Sequence, residues 1–267
     1  MRENALRRAW AGGRRTLNGW LSIPSPFAAE VMAHQGWESL TVDMQHGLAD
    51  YGAMVGMLQA VSTRPDVTPM VRVPWLEPGI IMRSLDAGAY GVICPMVNTA
   101  AEAELFVSCC RYPPRGQRSF GPIRALLYAG ADYGAHANDE VLALAMVETR
   151  EALANLEGIL AVPGLDGVYV GPSDLAASMG HPPQLDPELP EVVDVIATIV
   201  RAAKARGLAA GIHVAGPAYA RRMHEAGFDF CSIASDARLM GLKAQEVIAA
   251  ARGGAAPAGQ AQQPRTY

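Results

Sequence analysis

The segment 42–47 brings together three side chains that can do chemistry, in the order Asp43, Gln45 and His46. An apolar run at 39–42 precedes them, and a glycine follows. A carboxylate, an amide and an imidazole that gather where a buried strand surfaces are typical of the rim of an active site in an α/β protein. Other strand ends of this chain carry polar side chains in the same way, which predicts a site built from several strands.

His46 is the natural general base of this set, because imidazole titrates near neutral pH. Asp86 is expected to orient it, as the acid of a carboxylate–imidazole dyad. Arg72 lies within an apolar run, so its side chain is predicted to project inward, where a buried arginine needs an anionic partner. Two interpretations stay open for it: a structural ion pair with Asp43 or Glu148, or a fork that holds a substrate carboxylate or an enolate.

Glu148 and Asp174 follow two successive predicted strands. Each one alone is also explained as an acid at the start of a helix, where it caps the helix or interacts with its dipole. Together they would repel each other unless a cation lies between them, and an all-oxygen pair suits Mg²⁺, Mn²⁺ or a similar divalent ion. Gly171 and Ser173 open the helix that contains Asp174, and its free N–H groups can hold an anion such as a carboxylate.

Eight short apolar runs alternate with helical patterns along the chain. Continuous apolar strands between helices indicate a parallel sheet that is covered on both faces. Eight such units predict a (β/α)8 TIM barrel, in which active sites lie at the carboxyl ends of the strands. The alternative is an open doubly wound sheet, but the sequence has no GxGxxG or Walker-type phosphate loop to support it. The predicted strands are 19–23, 39–42, 68–73, 91–95, 142–147, 167–170, 209–213 and 228–233.

One barrel domain is predicted for residues 1–252, and the Gly-, Ala-, Pro- and Gln-rich tail at 253–267 is expected to be disordered. The arginine-rich N-terminal segment is interpreted as a surface helix, because it lacks the apolar stretch and cleavage site of a targeting signal. The segment 112–138 is a long insertion ahead of the fifth strand. Insertions of this length are usually functional or make subunit contacts.

Composition excludes several partners. The net charge of −4 gives no strong field for nucleic acid or an anionic membrane, and no apolar run has the length of a membrane span. The four cysteines show no metal-type spacing, so they are interpreted as reduced, mostly buried thiols of a cytoplasmic protein. The expected partners are therefore small-molecule substrates.

Lysine is unusually rare, with Lys204 and Lys243 as the two examples in 267 residues. Both lie within helical patterns, far from any strand end. Schiff-base chemistry needs a lysine in the pocket. The sequence therefore argues against Schiff-base chemistry.

These residues together resemble the HpcH/HpaI aldolase/citrate lyase family, and in particular its class II pyruvate aldolases of the hydroxy-oxo-heptanedioate type. The similarity runs in order from about Leu17 to Leu242. The motifs that carry it are Gly19-Trp20, Asp43-x-Gln45-His46-Gly47, Arg72-Val-Pro, Arg111-Tyr-Pro-Pro-x-Gly-x-Arg118, Val147-Glu148-Thr149 and Gly171-Pro-Ser-Asp174-Leu175.

The resemblance implies a (β/α)8 barrel that assembles as a homo-hexamer, often with a C-terminal helix exchanged between subunits. It also implies a divalent metal ion (Mg²⁺, Mn²⁺ or Co²⁺) held by Glu148 and Asp174. Backbone N–H groups around Ser173 and Asp174 would bind the pyruvate carboxylate, and Arg72 would steady the enolate oxygen. His46, paired with Asp86, would act as the base through a water molecule on the metal.

Two positions depart from the pattern of characterised members. Gln45 stands where a glutamate is common, so the field at the neighbouring His46 should be less negative. Met146 stands where some members have a glutamine, and a thioether cannot donate a strong hydrogen bond to the donor substrate. The second change bears on whether pyruvate or hydroxypyruvate is the donor.

The function predicted from residues and resemblance is a metal-dependent aldolase. It would reversibly cleave 4-hydroxy-2-oxo acids to pyruvate or hydroxypyruvate and an aldehyde, through a stabilised enolate. The alternative enzyme is an oxaloacetate-type decarboxylase or an acyl-CoA carbon–carbon lyase on the same barrel. A third interpretation is a barrel that senses a metabolite or only assembles; the presence of both Glu148 and Asp174 argues against it.

Overall fold

Eight parallel strands form a closed barrel in chain order, in the computed structural model that describes residues 1–253. The (β/α)8 prediction is thereby confirmed, and every predicted strand is present with ends that shift by at most three residues. The predicted disordered tail lies outside the described residues, apart from Gly253. The strands are β1 (Thr16–Leu21), β2 (Ser39–Asp43), β3 (Thr68–Arg72), β4 (Gly91–Cys94), β5 (Leu142–Val147), β6 (Gly167–Val170), β7 (Ala209–Val214) and β8 (Phe230–Ser235).

Helices surround the barrel and cover the outer face of its strands. The described chain contains the helices α1 (Ala5–Ala11), α2 (Pro26–Ala33), α3 (Tyr51–Val61), α4 (Pro78–Asp86), α5 (Ala100–Cys110), α6 (Ile123–Ala129), α7 (Tyr133–Glu140), α8 (Arg150–Ala154), α9 (Leu156–Leu160), α10 (Pro172–Ser178), α11 (Pro190–Ala205), α12 (Pro217–Glu225) and α13 (Asp236–Ala251).

Most strand residues are buried on both faces of the sheet, because each face packs against a different layer. Outward side chains pack against the helices in one large core, and inward side chains fill the barrel in a second cluster that includes Met70, Leu144 and Phe230. Helix α1 closes the amino end of the barrel, where Leu6 is fully buried and Trp10 stacks on Phe230 with ring centroids 5.0 Å apart. The N-terminal segment is therefore helical as predicted, but it is part of the core and not simply a surface helix.

The segment 112–138 lies at the amino end of the barrel, because it connects α5 to the start of β5. It contains α6 and the first part of α7. Arg111 and Arg118 at its start are both buried; Arg111 pairs with Asp166 at 2.6 Å and Arg118 with Asp86 at 2.7 Å. Within one chain this segment cannot shape a pocket at the opposite, carboxyl end of the strands.

All four cysteines are free and buried, as the sequence predicted. In the described residues, no helix has both the length and the apolar character that crossing a membrane requires.

Candidate active site

A buried ion pair between Asp43 and Arg72 forms the floor of the barrel mouth. The two residues are register partners at the ends of β2 and β3, so both side chains project to the same side. Arg72 donates from Nε to Asp43 Oδ1 at 2.9 Å and from Nη2 to Oδ2 at 2.7 Å. Burial raises the pKa of Asp43, but the charge and hydrogen bonds of Arg72 outweigh it and hold the pKa below its ordinary value. The ion pair with Asp43 left open by the sequence is thus present, and it fixes the guanidinium in place.

Asp43 also shapes the loop that carries His46. Its Oδ1 accepts the backbone N–H groups of Gln45 at 3.0 Å and His46 at 3.3 Å. The chain then turns so tightly at Gly47 that a Cβ there would overlap the carbonyl oxygen of Asp43. A glycine is required at this position, and the turn brings His46 to the wall of a cavity at the barrel mouth.

Trp20 forms the centre of an aromatic wall beside the ion pair. Its indole N–H donates to Asp43 at 3.1 Å, and the Arg72 guanidinium lies 4.8 Å from its ring centroid. Tyr169 stacks on it at 5.8 Å, and His213 meets it edge-on at 4.8 Å. Burial lowers the pKa of His213 to about 3, so its ring is neutral at physiological pH.

Glu148 lies just beyond β5 and is 2 % exposed. Its Oε1 accepts the N–H of Met96 at 2.8 Å, and Met96 adopts a left-handed conformation, φ 55°, at that point. The pKa of Glu148 is raised to about 7, mainly by burial and also by the negative charge of Asp174, whereas the Met96 N–H and Arg72 oppose the shift. A buried carboxyl held next to a second carboxylate is typical of a functional site.

Asp174 stands in the first turn of α10, and the turn before it is built against Glu148. A Cβ at Gly171 would overlap Glu148 Oε2, so a glycine is needed for the two acids to approach. No side chain caps the helix, and Ser173 Oγ is buried with no hydrogen-bond partner. The free first-turn N–H groups and this hydroxyl form a polar cradle next to the paired carboxylates. In the described residues no third His, Cys, Asp or Glu completes a metal cluster, so a bound divalent ion would take its other ligands from substrate and water.

A cavity of about 550 Å³ lies on the other side of the mouth. It follows the ends of β1, β2, β7 and β8, across the barrel from Glu148 and Asp174. Its walls include apolar side chains such as Ile23, Leu48 and Leu185, and its polar lining consists of Ser22, Asp43, His46, His213, Ser235 and Arg238.

The structure does not bring Asp86 to His46 within one chain. Asp86 ends α4, ahead of β4, so it lies at the amino end of the barrel, whereas His46 follows the carboxyl end of β2. Its carboxylate accepts a hydrogen bond from the buried Arg118. A residue that precedes a strand lies at the amino end of the barrel, whereas a residue that follows the strand lies at the mouth. Asp86 precedes β4, so being close to β4 in the sequence does not bring it to the mouth.

Both lysines lie on outer helices, as predicted. Lys204 on α11 pairs with Asp229 at 2.7 Å, and Lys243 on α13 pairs with Glu246 at 2.6 Å. Neither lines the cavity.

Sequence reasoning did not assign a role to Trp20, Met96, Tyr169 or Arg238. Met96 contributes through its backbone N–H, which no residue type signals. Trp20 and Tyr169 look like ordinary core aromatics of their strands. Arg238 had a usable signal, since it follows the end of β8 in the same way that Asp174 follows β6.

The fold and the site define a class of protein: a (β/α)8 barrel with a carboxylate pair, a held arginine and a histidine at the carboxyl ends of its strands, where enzymes of this fold have their active sites. The chain belongs to the HpcH/HpaI aldolase/citrate lyase family, whose model matches residues 17–241.

Relatives and solved structures agree with this assignment. The chain is 45% identical over 249 residues, 93% of its length and 99% of the relative's, to a hydroxypyruvate/pyruvate aldolase of Rhizorhabdus wittichii. It is 38% identical over 252 residues, 92% of its length and 93% of the relative's, to a 4-hydroxy-2-oxo-heptane-1,7-dioate aldolase of Klebsiella pneumoniae. The crystal structure of an HpcH/HpaI aldolase/citrate lyase family protein from Burkholderia cenocepacia superposes with a TM-score of 0.86 at 33% identity, covering 92% of this chain and 98% of that one.

Proposed function

We propose that this protein is a metal-dependent aldolase. It reversibly cleaves 4-hydroxy-2-oxo acids to pyruvate or hydroxypyruvate and an aldehyde. The observation that carries the proposal is the approach of the buried Glu148 to Asp174 beside a fixed Arg72, in a chain that is 45% identical to a hydroxypyruvate/pyruvate aldolase. In this arrangement the two carboxylates can bind a cation, and the guanidinium of Arg72 can stabilise the negative charge of an enolate beside it.

Glu148 and Asp174 are the residues that would hold the metal, and Mg²⁺, Mn²⁺ and Co²⁺ are the proposed ions. The donor set fits because both groups are carboxylates, and because Gly171 leaves no side chain between them. When bound, the cation polarises the ketone of a 2-oxo acid and stabilises the negative charge of its enolate.

The chain's own groups bind and orient the oxo acid. The free N–H groups at the start of α10 and the unpartnered Ser173 hydroxyl bind its carboxylate. Arg72, held by two hydrogen bonds to Asp43, directs positive charge at the enolate oxygen. His46 takes the proton from the carbon next to the ketone. Met146 Cε lies 3.1 Å from the position of a Cβ on Gly171, so an apolar thioether borders the donor position.

We also infer that the protein assembles with further copies of itself, as a homo-hexamer. Helix α13 supports this inference, because it stands off the barrel with its apolar side chains exposed. Met240 is 62 % exposed, Leu242 51 %, Val247 55 % and Ile248 48 %. Single-molecule mass measurement is expected to give six copies of the 28.3 kDa chain. The free, buried cysteines fit a reducing compartment, so we propose a cytoplasmic location.

An acyl-CoA lyase is not favoured by the arrangement of charges. Such an enzyme needs cations that bind the CoA phosphates, and the cluster of Arg111, Arg115 and Arg118 would be their source in this sequence. However, Arg111, Arg115 and Arg118 pair with Asp166, Asp139 and Asp86, respectively, in the segment at the amino end of the barrel.

Exchange of the pyruvate methyl protons for deuterium tests the proposal without any acceptor aldehyde. Proton NMR in D₂O is expected to show exchange that stops when a chelator removes the metal and returns when Mn²⁺ or Mg²⁺ is added. A hydrogen-bonded base contributes about 10²- to 10⁴-fold, so His46→Ala should slow exchange by that factor. His136→Ala, on the exposed helix α7, is the matched control and should exchange like the wild type. Exchange that survives exhaustive chelation would refute the metal assignment.

A further inference from the structure

Arg238 is a cation in the cavity, and none of the residues at 1–253 forms an ion pair with it. It stands in the first turn of α13 and lines the cavity together with His46 and His213. Its guanidinium donates no hydrogen bond to a described residue, and its Nε is buried without a partner. A buried donor without an acceptor carries a free-energy cost, and a bound anion that accepts from this guanidinium would remove that cost.

The nearby carboxylates are already committed to other groups. Asp43, the carboxylate among the described lining residues, is neutralised by Arg72. Asp236, two residues before Arg238, accepts N–H groups from Ser22 at 2.8 Å, Ile23 at 3.3 Å and Ala237 at 2.8 Å. The buried His213 is neutral and adds no negative charge. The cavity therefore keeps an excess positive charge at Arg238.

Arg238 lies on the side of the mouth where the acceptor aldehyde, the second substrate of an aldolase, would enter. The carboxylate pair lies after β5 and β6, and the cavity lies across the mouth after β7, β8, β1 and β2. An oxo acid at Glu148 would thus lie across the mouth from the cavity, whose lining includes Trp20 and His46. Apolar side chains such as Ile23 and Leu185 line the space, which suits a short carbon chain.

We propose that Arg238 binds an anionic group, a carboxylate or a phosphate, at the end of the acceptor aldehyde that is remote from its carbonyl carbon. This inference rests on the proposed aldolase function and adds to it the chemical class of the acceptor. The apolar walls hold the carbon chain, and the guanidinium forms charge-assisted hydrogen bonds with the terminal oxygens. Arg238 is then a specificity-determining residue, separate from the groups that activate the donor.

Paired acceptors test this assignment with pyruvate as the donor. The pairs are 4-oxobutanoate against butanal, and glyceraldehyde 3-phosphate against glyceraldehyde. The measured quantity is the ratio of kcat/KM for the anionic acceptor to that for its neutral partner, within each variant. Because a hydrogen bond to a charged group contributes about 1.5–3 kcal/mol, Arg238→Gln should lower this ratio about 10- to 100-fold. The pair with the larger loss identifies carboxylate or phosphate.

Two further variants sharpen the result. Arg238→Lys keeps the charge but loses the planar fork, so it should retain part of the preference. Arg201→Gln, on the exposed face of α11, is the matched control and should keep the wild-type ratio. A ratio that is the same in Arg238→Gln and in the wild type overturns the inference, even where the wild type is an active aldolase.

Failure of the proposed function itself has a different signature. It would appear as a wild-type protein that neither exchanges pyruvate protons nor forms aldol product. In that case calorimetric titration with butanoate decides the role of Arg238 independently of activity. Binding about tenfold or more weaker in Arg238→Gln supports an anion site, and equal affinity in the two proteins overturns it.

Discussion

Replacing Glu148 with glutamine is expected to stabilise the metal-free protein at pH 8 while abolishing the proposed metal-dependent activity. The carboxyl has a pKa of about 7 in the folded protein, against an ordinary value of 4.5. Between these values the folded state keeps a proton that the unfolded chain has lost. The stability contributed by this group is therefore fully present below pH 4.5 and is lost as the pH rises through 7.

The size of the effect follows from the same two values. Their separation corresponds to about 3 kcal/mol, and the group is 2 % exposed, so solvent screens little of it. A glutamine at this position does not ionise and can still accept the N–H of Met96. The free energy of unfolding of Glu148→Gln should then exceed that of the wild type by nearly zero at pH 4.5 and by about 3 kcal/mol at pH 8.

Denaturant unfolding of the chelator-treated proteins, at fixed protein concentration and several pH values between 5 and 8, measures this difference. Glu151→Gln, an exposed acid in the first turn of α8, is the matched control and should give a difference that does not change with pH. Added Mn²⁺ should then stabilise the wild type in proportion to the logarithm of its concentration, and Glu148→Gln much less. A difference between Glu148→Gln and wild type that is flat with pH, or destabilisation of the variant at pH 8, would refute the reasoning.

Three further outcomes are expected. Gly171→Ala places a Cβ where it overlaps Glu148 Oε2, so the affinity for Mn²⁺, measured by paramagnetic titration, should fall about 10- to 100-fold. Unchanged affinity would show that this turn does not shape the metal site. Arg72→Lys loses the two-point hold on Asp43 and should lower kcat for aldol cleavage about 10²-fold, and wild-type turnover would contradict its role at the enolate. Borohydride added with pyruvate should leave the protein mass unchanged, because Lys204 and Lys243 pair with Asp229 and Glu246 on outer helices; a covalent adduct in the mass spectrum would reinstate Schiff-base chemistry.

The barrel could be predicted because its strands carry an unambiguous pattern. Strands such as β5 and β6 are buried on both faces, so most of their residues are apolar, and the helical patterns between the runs indicate a parallel sheet. The ends of the strands were harder to predict. At β1 the polar residues Thr16 and Asn18 are buried within the strand, so the apolar pattern placed its start too late.

The candidate site could be predicted to the extent that it consists of residues directly after strands. His46, Glu148 and Asp174 satisfy that condition, and all three lie at the mouth. Asp86 does not, because it precedes its strand, and a contact between two loops depends on which end of the barrel each one occupies. The segment 112–138 also precedes its strand, since it joins α5 to the start of β5, and it therefore lies at the amino end of the barrel.

The two interpretations of Arg72 turn out to describe one arrangement. Strand pairing makes Asp43 and Arg72 direct neighbours, so the ion pair follows from the register of β2 and β3. Because both Asp43 oxygens accept hydrogen bonds from Arg72, and Oδ1 also accepts from the loop of His46, the same carboxylate fixes the cation and the base relative to each other. An active site needs such fixed positions before substrate binds. The structural ion pair therefore holds Arg72 and His46 in the positions that the proposed reaction needs, and Asp43→Asn should weaken both of their proposed roles together.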